Sequence, residues 1–165
     1  FFGIVLSIMD ITNIISAEHI EIISKLAVAL LLGMSLGIER AIAGKTAGMR
    51  TYGLVTMGSA LLAMTGVFIG GGFDSPTALV DSIRFSAQII TGIGFIGAGL
   101  IFIKGADVSG VTTAAGLWVS AGVGIAIGYG FYTLAIVTTV LAILTFTFFW
   151  YVEDRLKAIV RHELK

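Results

Sequence analysis

Long apolar stretches, separated by short charged or glycine-rich segments, dominate the pattern of hydrophobic and polar positions along this chain. Residues 51–73 run for 23 positions without a charged side chain, residues 85–103 for 19 and residues 108–152 for 45. About 20 apolar residues cross a bilayer as a helix. As a single helix the last stretch would be about 68 Å long, twice the membrane thickness. We expect it to turn at "GYG", residues 128–130, because glycines break a helix at little cost.

A first apolar stretch, residues 20–38, brings the prediction to five transmembrane helices within residues 20–151. Its early charges, Glu21 and Lys25, suit side chains that reach toward the membrane interface. Residues 1–19 are predicted to be a short outer or interfacial segment, since the apolar run before Asp10 is too short to span. Residues 152–165 combine an apolar stripe with basic positions, which predicts an amphipathic cytoplasmic tail.

Composition supports an all-α integral membrane protein. Hydrophobic residues make up 57% of the 165 residues and charged residues only 12%, which leaves too little polar surface for a soluble domain. The formal net charge is zero, so no global field favours nucleic acid as a partner. The absence of cysteine excludes disulfides and thiolate metal sites. No nucleophile–base pair or metal cluster stands out, so we expect neither an enzyme nor a bound cofactor, and assign no metal ligands.

Basic residues predict the orientation, because loops rich in Lys and Arg stay in the cytoplasm. Eight of the ten basic residues fall on one side of the five predicted spans: Arg40, Lys45, Arg50, Lys104, Arg155, Lys157, Arg161 and Lys165. The opposite side holds only Lys25 and Arg84. The N-terminus is therefore predicted outside and the C-terminus inside.

The segment "GIERAIAGKTAGMRT", residues 37–51, concentrates charge between the first two spans. If this segment only anchored the membrane topology, it would need its basic residues but neither Glu39 nor its glycines. A carboxylate at the membrane boundary needs a cationic partner, which Arg40, Arg50 or Lys104 would supply. We therefore predict an ordered inner loop that presents a docking surface, formed by Glu39, Arg40, Lys45, Gly48, Arg50 and Thr51.

The "GKT" within this segment does not indicate a nucleotide site. A phosphate-binding loop requires a glycine five residues before Gly44 and a buried strand before that. Position 39 is Glu, and a long apolar helix precedes it.

Small residues line the third and fourth spans, and the favoured interpretation is close helix packing. The candidate packing positions are Gly92, Gly94, Gly97, Gly99 and Gly122. The alternative is a glycine-lined path or a partly unwound helix with exposed carbonyls. At the outer end of span three, the spacing of Asp81, Arg84 and Gln88 predicts a polar cluster.

The sequence also contains a weak internal repeat, in which matching residues are separated by 62 positions. Gly48 falls on Gly110 and Thr51 on Thr113. This pattern predicts that spans one–two and three–four are parallel repeats about an axis normal to the membrane.

Three ordered motifs resemble the membrane domain of the MgtC/SapB family over roughly residues 25 to 150. They are "LLGMSLGIERAIAGKTAGMRTYGLVTMGSAL", "RFSAQIITGIGFIGAGLIF" and "VSGVTTAAGLWVSAGVGIAIG". The resemblance implies a five-helix bacterial inner-membrane protein linked to growth under magnesium limitation and, in some pathogens, to survival inside host cells. The family pattern falls on Gly37, Glu39, Arg40, Gly48, Arg50, Thr51, Arg84, Gln88, Gly92, Gly94, Gly97, Gly99, Gly110, Thr113, Ala114, Trp118, Ala121 and Gly122. Many relatives continue into a cytosolic domain, and functions seated there lie outside this sequence.

Two functions follow from the sequence and the resemblance. The first is a regulator of magnesium homeostasis that acts through a membrane-protein partner or as a homo-oligomer in the lipid bilayer. The second is a Mg²⁺ carrier or channel, with Mg²⁺ as substrate rather than signal. A magnesium path needs carboxylates or carbonyls that hold the ion or its water. Spans two to five carry no interior carboxylate, which favours the regulator.

Overall fold

Helices account for most of the described chain, which covers residues 17–71, 76–105 and 107–163 of a computed structural model. The described helices are α1 (Ala17–Ile42), α2 (Met49–Ile69), α3 (Pro76–Ala98), α4 (Val111–Gly128) and α5 (Tyr132–Glu163). Two short strands, β1 (Phe102–Lys104) and β2 (Asp107–Ser109), lie between α3 and α4. Nearly all of the predicted outer segment, residues 1–19, lies outside the described residues.

Four of these helices are long and apolar enough to cross a membrane: Glu18–Ile42 in α1, Met49–Ile69 in α2, Val111–Gly128 in α4 and Tyr132–Val152 in α5. The chain is therefore a multi-pass membrane protein. With 23 residues, α3 spans about 34 Å, but Asp81, Arg84 and Gln88 make it more polar. A fifth span remains a prediction.

The contacts that α2 makes with α1 and α4 show in which direction each of these helices runs relative to α2. Gly33 of α1 lies against Thr56, and Gly37 lies against Met49, so α1 and α2 are antiparallel. On the other side of α2, α4 runs parallel to it, because Gly116 packs on the Tyr52 side chain and Gly128 packs further along, on Ala60 and Ala63.

The predicted turn at residues 128–130 is confirmed. Helix α4 ends at Gly128 and α5 begins at Tyr132. Between them Gly130 has a φ of 82°, a left-handed conformation that glycine adopts without penalty. From there α5 continues unbroken to Glu163, so the predicted cytoplasmic tail begins as an extension of the last membrane helix.

Tight packing within the chain uses other glycines than most of those predicted. A Cβ added at Gly124 would lie 2.8 Å from the Cβ of Ser59, which is closer than real Cβ contacts allow. At Gly97 the nearest atom, the Ala114 Cβ, would lie at an ordinary 3.5 Å. A Cβ at the predicted positions 92, 94 and 122 would meet nothing within 4 Å in the described chain. Gly92, Gly94 and Gly122 therefore make no close packing contact with the described helices of their own chain.

The strands correct the all-α prediction. The apolar run to residue 103 was expected to continue span three, but α3 ends at Ala98 and a hairpin follows. Its strands pair Phe102 with Ser109 and Lys104 with Asp107 in antiparallel register. Gly105 and Gly110 adopt φ values of 64° and 89°, which redirect the chain before and after β2.

Candidate functional site

A cavity of about 410 Å³ lies at the end of the bundle where α1 ends and α4 begins. Two cationic residues line it, Arg40 from the last turn of α1 and Lys45 from the loop that follows. The other lining residues come from the loop after α1, the end of the hairpin, the start of α4 and the middle of α5: Ala43, Val108, Gly110, Val111, Thr112, Thr113, Thr145, Phe146, Phe149 and Trp150. We call this cavity the inner chamber.

Arg40 is the buried charge of the inner chamber, with only 4% of its side chain exposed. Its Nε donates a hydrogen bond to the Glu39 carboxylate, so Arg40 is the cationic partner that the sequence required for Glu39. The guanidinium carbon lies 3.8 Å from the centroid of the Phe146 ring. A desolvated cation over an aromatic face gains about 2 kcal/mol or more. The carboxylate and the ring together offset the cost of burying the charge.

The N-terminus of α4 forms another wall of the chamber. The first N–H groups of a helix have no acceptor within the helix and carry its positive partial charge. The N-cap residue, Gly110, offers no side chain to cap them, and the Ala114 N–H is bonded to the Gly110 carbonyl at 2.9 Å. The Tyr52 hydroxyl, on a fully buried side chain, donates to the Thr113 carbonyl at 3.1 Å. This bond from α2 fixes where α4 begins.

The other residues of the predicted inner loop lie around the chamber, but not all of them line it. Lys45 is exposed at its rim, and Gly48 is the N-cap of α2. Thr51 is half-buried in the first turn of α2. Arg50, on the same turn, is exposed and does not line the chamber.

A model of the MgtC family matches residues 26–155, which include every residue that lines the chamber. The chain belongs to the MgtC family. It is 39% identical over 140 residues to YhiD of Escherichia coli K12, which is named as a proposed magnesium transporter. It is 38% identical over 146 residues to SapB of Bacillus subtilis, and 45% identical over 118 residues to MgtC of Brucella abortus.

These matches cover 82%, 83% and 72% of the present chain, but only 64%, 62% and 47% of the respective relatives. This MgtC-family chain thus spans less than two thirds of each of these relatives. No solved structure matches it.

The predicted outer residues lie along α3 in this MgtC-family fold, and their clustering stays a prediction. Among the described side chains, no ion pair joins Asp81 to Arg84. Gln88 lines a separate, open groove of about 570 Å³ between α2 and α3, together with Gly92 and several apolar side chains. Their functional role stays a prediction.

Sequence reasoning missed the residues that α4 and α5 bring to the inner chamber. Phe146 and Trp150 belong to an aromatic run that is typical of a membrane interface, and Phe146 lies 106 positions after Arg40. Tyr52 carried no signal beyond its position next to Thr51. The one available hint of an exposed helix start was Gly110 in "VSGVTT", because a glycine at the N-cap position has no side chain to cap the helix.

Proposed function

We propose that this MgtC-family protein is a bacterial inner-membrane regulator of magnesium homeostasis that acts through a membrane partner. The observation that carries the proposal is the charge of the inner chamber. Arg40, Lys45 and the positive end of α4, worth about half a unit charge, surround it. Glu39 contributes one negative charge, and the C-terminal end of α1 contributes about half a negative charge. The local balance is positive, which repels Mg²⁺ at the end of the bundle where a transported cation would have to pass.

The packing of the bundle centre supports the same proposal. The largest fully buried side chains come from α1, α2 and α4 and include Leu36, Tyr52, Leu117, Val123 and Ile127. A Mg²⁺ path needs oxygen ligands in octahedral geometry or space for the ion's water. Mostly apolar side chains occupy this interior instead, and the hydroxyls of the buried Thr56 and Ser120 donate to helix carbonyls.

The proposal places the inner chamber in the cytoplasm. With α3 as a fifth span, the basic residues fall inside and the N-terminus outside. The parallel course of α2 and α4, which both follow a glycine N-cap, at Gly48 and Gly110, supports the proposed two-helix repeat.

Outward-facing glycines supply a surface for the partner. A Cβ added at Gly94 or Gly122 would meet nothing within 4 Å in the described chain. Membrane helices associate closely where small residues let their backbones approach. A partner protein or a second copy is therefore proposed to pack against one of these two glycines, while the inner loop supplies charged contacts.

The alternative function, a Mg²⁺ carrier, is favoured by one observation at the opposite end of the bundle. A cavity of about 250 Å³ there is lined by Glu18, Glu21 and Lys25, among others. Carboxylates are ligands for Mg²⁺. The Lys25 ammonium lies 2.7 Å from the Glu21 carboxylate, however, so one of the two acids is already paired.

Growth of a bacterium that lacks its own MgtC-family protein tests the proposal. Cells that express this chain in low magnesium should regain growth while their rate of Mg²⁺ uptake, followed with an intracellular dye, stays unchanged. Glu39→Ala removes the carboxylate that pairs with the buried Arg40, and Arg50→Ala removes an exposed cation of the loop. We expect both variants to insert normally and to lose the rescue. Wild-type growth of both variants, or growth that rises in step with Mg²⁺ uptake, would contradict the regulator.

A further inference from the structure

We propose that the inner chamber binds a phosphate group, carried either by an anionic lipid headgroup or by free phosphate. The chamber combines three kinds of donor suited to an oxyanion. They are the guanidinium of Arg40, the ammonium of Lys45 and the first N–H groups of α4, which the N-cap residue does not cap with a side chain. Its volume of about 410 Å³ lies within the range of small-ligand sites.

The surroundings of the Arg40 side chain point to a ligand, and this observation is independent of the N-terminus of α4. Only 4% of its side chain is exposed, and within the described residues its hydrogen bond is the one from Nε to Glu39. Every fully buried side-chain nitrogen or oxygen in the described residues has a hydrogen-bond partner. The two terminal nitrogens of the Arg40 guanidinium make no hydrogen bond there, so they reach the open space of the chamber that the residue lines. Guanidinium groups bind phosphate through parallel N–H donors. Guanidinium nitrogens that open onto a cavity beside a helix N-terminus are suited to binding an oxyanion.

The arrangement is held rigidly from three sides. Phe146 of α5 supports the guanidinium plane, Glu39 fixes its Nε, and Tyr52 of α2 holds the Thr113 carbonyl. A rigid site loses less entropy on binding. Phe149 and Trp150 add exposed aromatic walls, which are typical of side chains at the headgroup level of a membrane.

This site is distinct from a nucleotide-binding loop, which the sequence excludes. Lys45 of the "GKT" segment still contributes to the chamber, but the helix start comes from α4, 65 positions later along the chain. Phosphate binding is also separable from regulation, because it is measured on the purified chain without any magnesium phenotype.

The test uses the purified full chain in nanodiscs of zwitterionic lipid. Equilibrium dialysis with radiolabelled inorganic phosphate measures the free anion. Native mass spectrometry of chain extracted with phosphatidic acid and phosphatidylcholine measures retention of the lipid headgroup. Lys45→Gln removes a charge from the chamber rim, and Arg155→Gln removes the same charge from an exposed position on α5, outside the chamber. Arg40→Gln removes the buried donor.

We expect saturable binding in one of the two arms, weakened about three- to tenfold by Lys45→Gln and at least about tenfold by Arg40→Gln. Arg155→Gln should leave it within about twofold. Phosphate binding in dialysis identifies the free anion, whereas selective retention of phosphatidic acid alone identifies the lipid. If Arg40→Gln fails to fold, as judged by size-exclusion profile and circular dichroism, the comparison of Lys45→Gln with Arg155→Gln decides.

Two results would overturn the proposal. The first is no binding in either arm, which would leave the chamber to an acidic protein segment or to no ligand. The second is equal weakening by Lys45→Gln and Arg155→Gln, which would show a diffuse surface field rather than a site.

Discussion

Two glycines of α4, two positions apart, give a direct test of the packing between α2 and α4. A Cβ added at Gly124 would lie 2.8 Å from the Ser59 Cβ and would also press on the Thr56 carbonyl oxygen. The carbonyl belongs to the backbone of α2 and cannot rotate away. A Cβ added at Gly122 would meet nothing within 4 Å in the described chain. Gly124→Ala and Gly122→Ala therefore make the same chemical change in the same helix but differ in what they contact.

The expected difference follows from two opposing terms. Replacing Gly by Ala inside a helix stabilises it by about 1 kcal/mol, and this gain applies to both variants. Overpacking against fixed neighbours costs about 1–3 kcal/mol and applies only at Gly124. We therefore expect Gly122→Ala to raise the free energy of unfolding slightly, and Gly124→Ala to fall about 1–3 kcal/mol below it.

Unfolding in mixed detergent micelles, titrated with sodium dodecyl sulfate and followed by circular dichroism, measures both variants against the parent chain. If both alanine variants are at least as stable as the parent chain, the packing of α4 on α2 is refuted. A loss at Gly122 as large as that at Gly124 would instead show that a second molecule covers the outer face of α4.

Two further substitutions probe how the inner chamber is held, in the same titration. Tyr52→Phe removes the hydroxyl that donates to Thr113. It should lower the free energy of unfolding by about 0.6–1.7 kcal/mol, the range for hydrogen bonds between membrane helices. An unchanged free energy would mean that this bond does not fix the start of α4. Phe146→Leu removes the ring under Arg40 and should cost about 0.5–2 kcal/mol from the lost cation–π contact. Phe149→Leu, on an exposed ring of the same helix, is its control, and an equal loss in both would contradict the role of the ring.

The helical framework could be predicted because its determinants are local. Apolar length fixed the main helices, and the glycines of residues 128–130 fixed the turn between α4 and α5. The hairpin was missed because its strands have only three residues each and β1 overlaps the end of an apolar stretch, residues 85–103, that is long enough for a helix. Gly105 and Gly110 were the available turn signals.

The direction in which each glycine faces could not be read from the sequence. Gly122 and Gly124 lie in the same small-residue run, yet one faces outward and the other packs on α2. Which side of α4 is covered depends on where α2 lies, and composition does not contain that information. The burial of Arg40 was hidden for the same reason. Its ring partner comes from α5, and only the fold brings the two together.

The most direct test of the regulator over the carrier is Mg²⁺ entry into sealed liposomes that contain the purified chain, with Glu39→Ala as the comparison. Circular dichroism and protease protection establish that the protein is folded and inserted. The positive inner chamber and the apolar centre of the bundle predict Mg²⁺ entry no faster than into empty liposomes. Saturable entry that Glu39→Ala abolishes would contradict the regulator and make this chain a magnesium carrier.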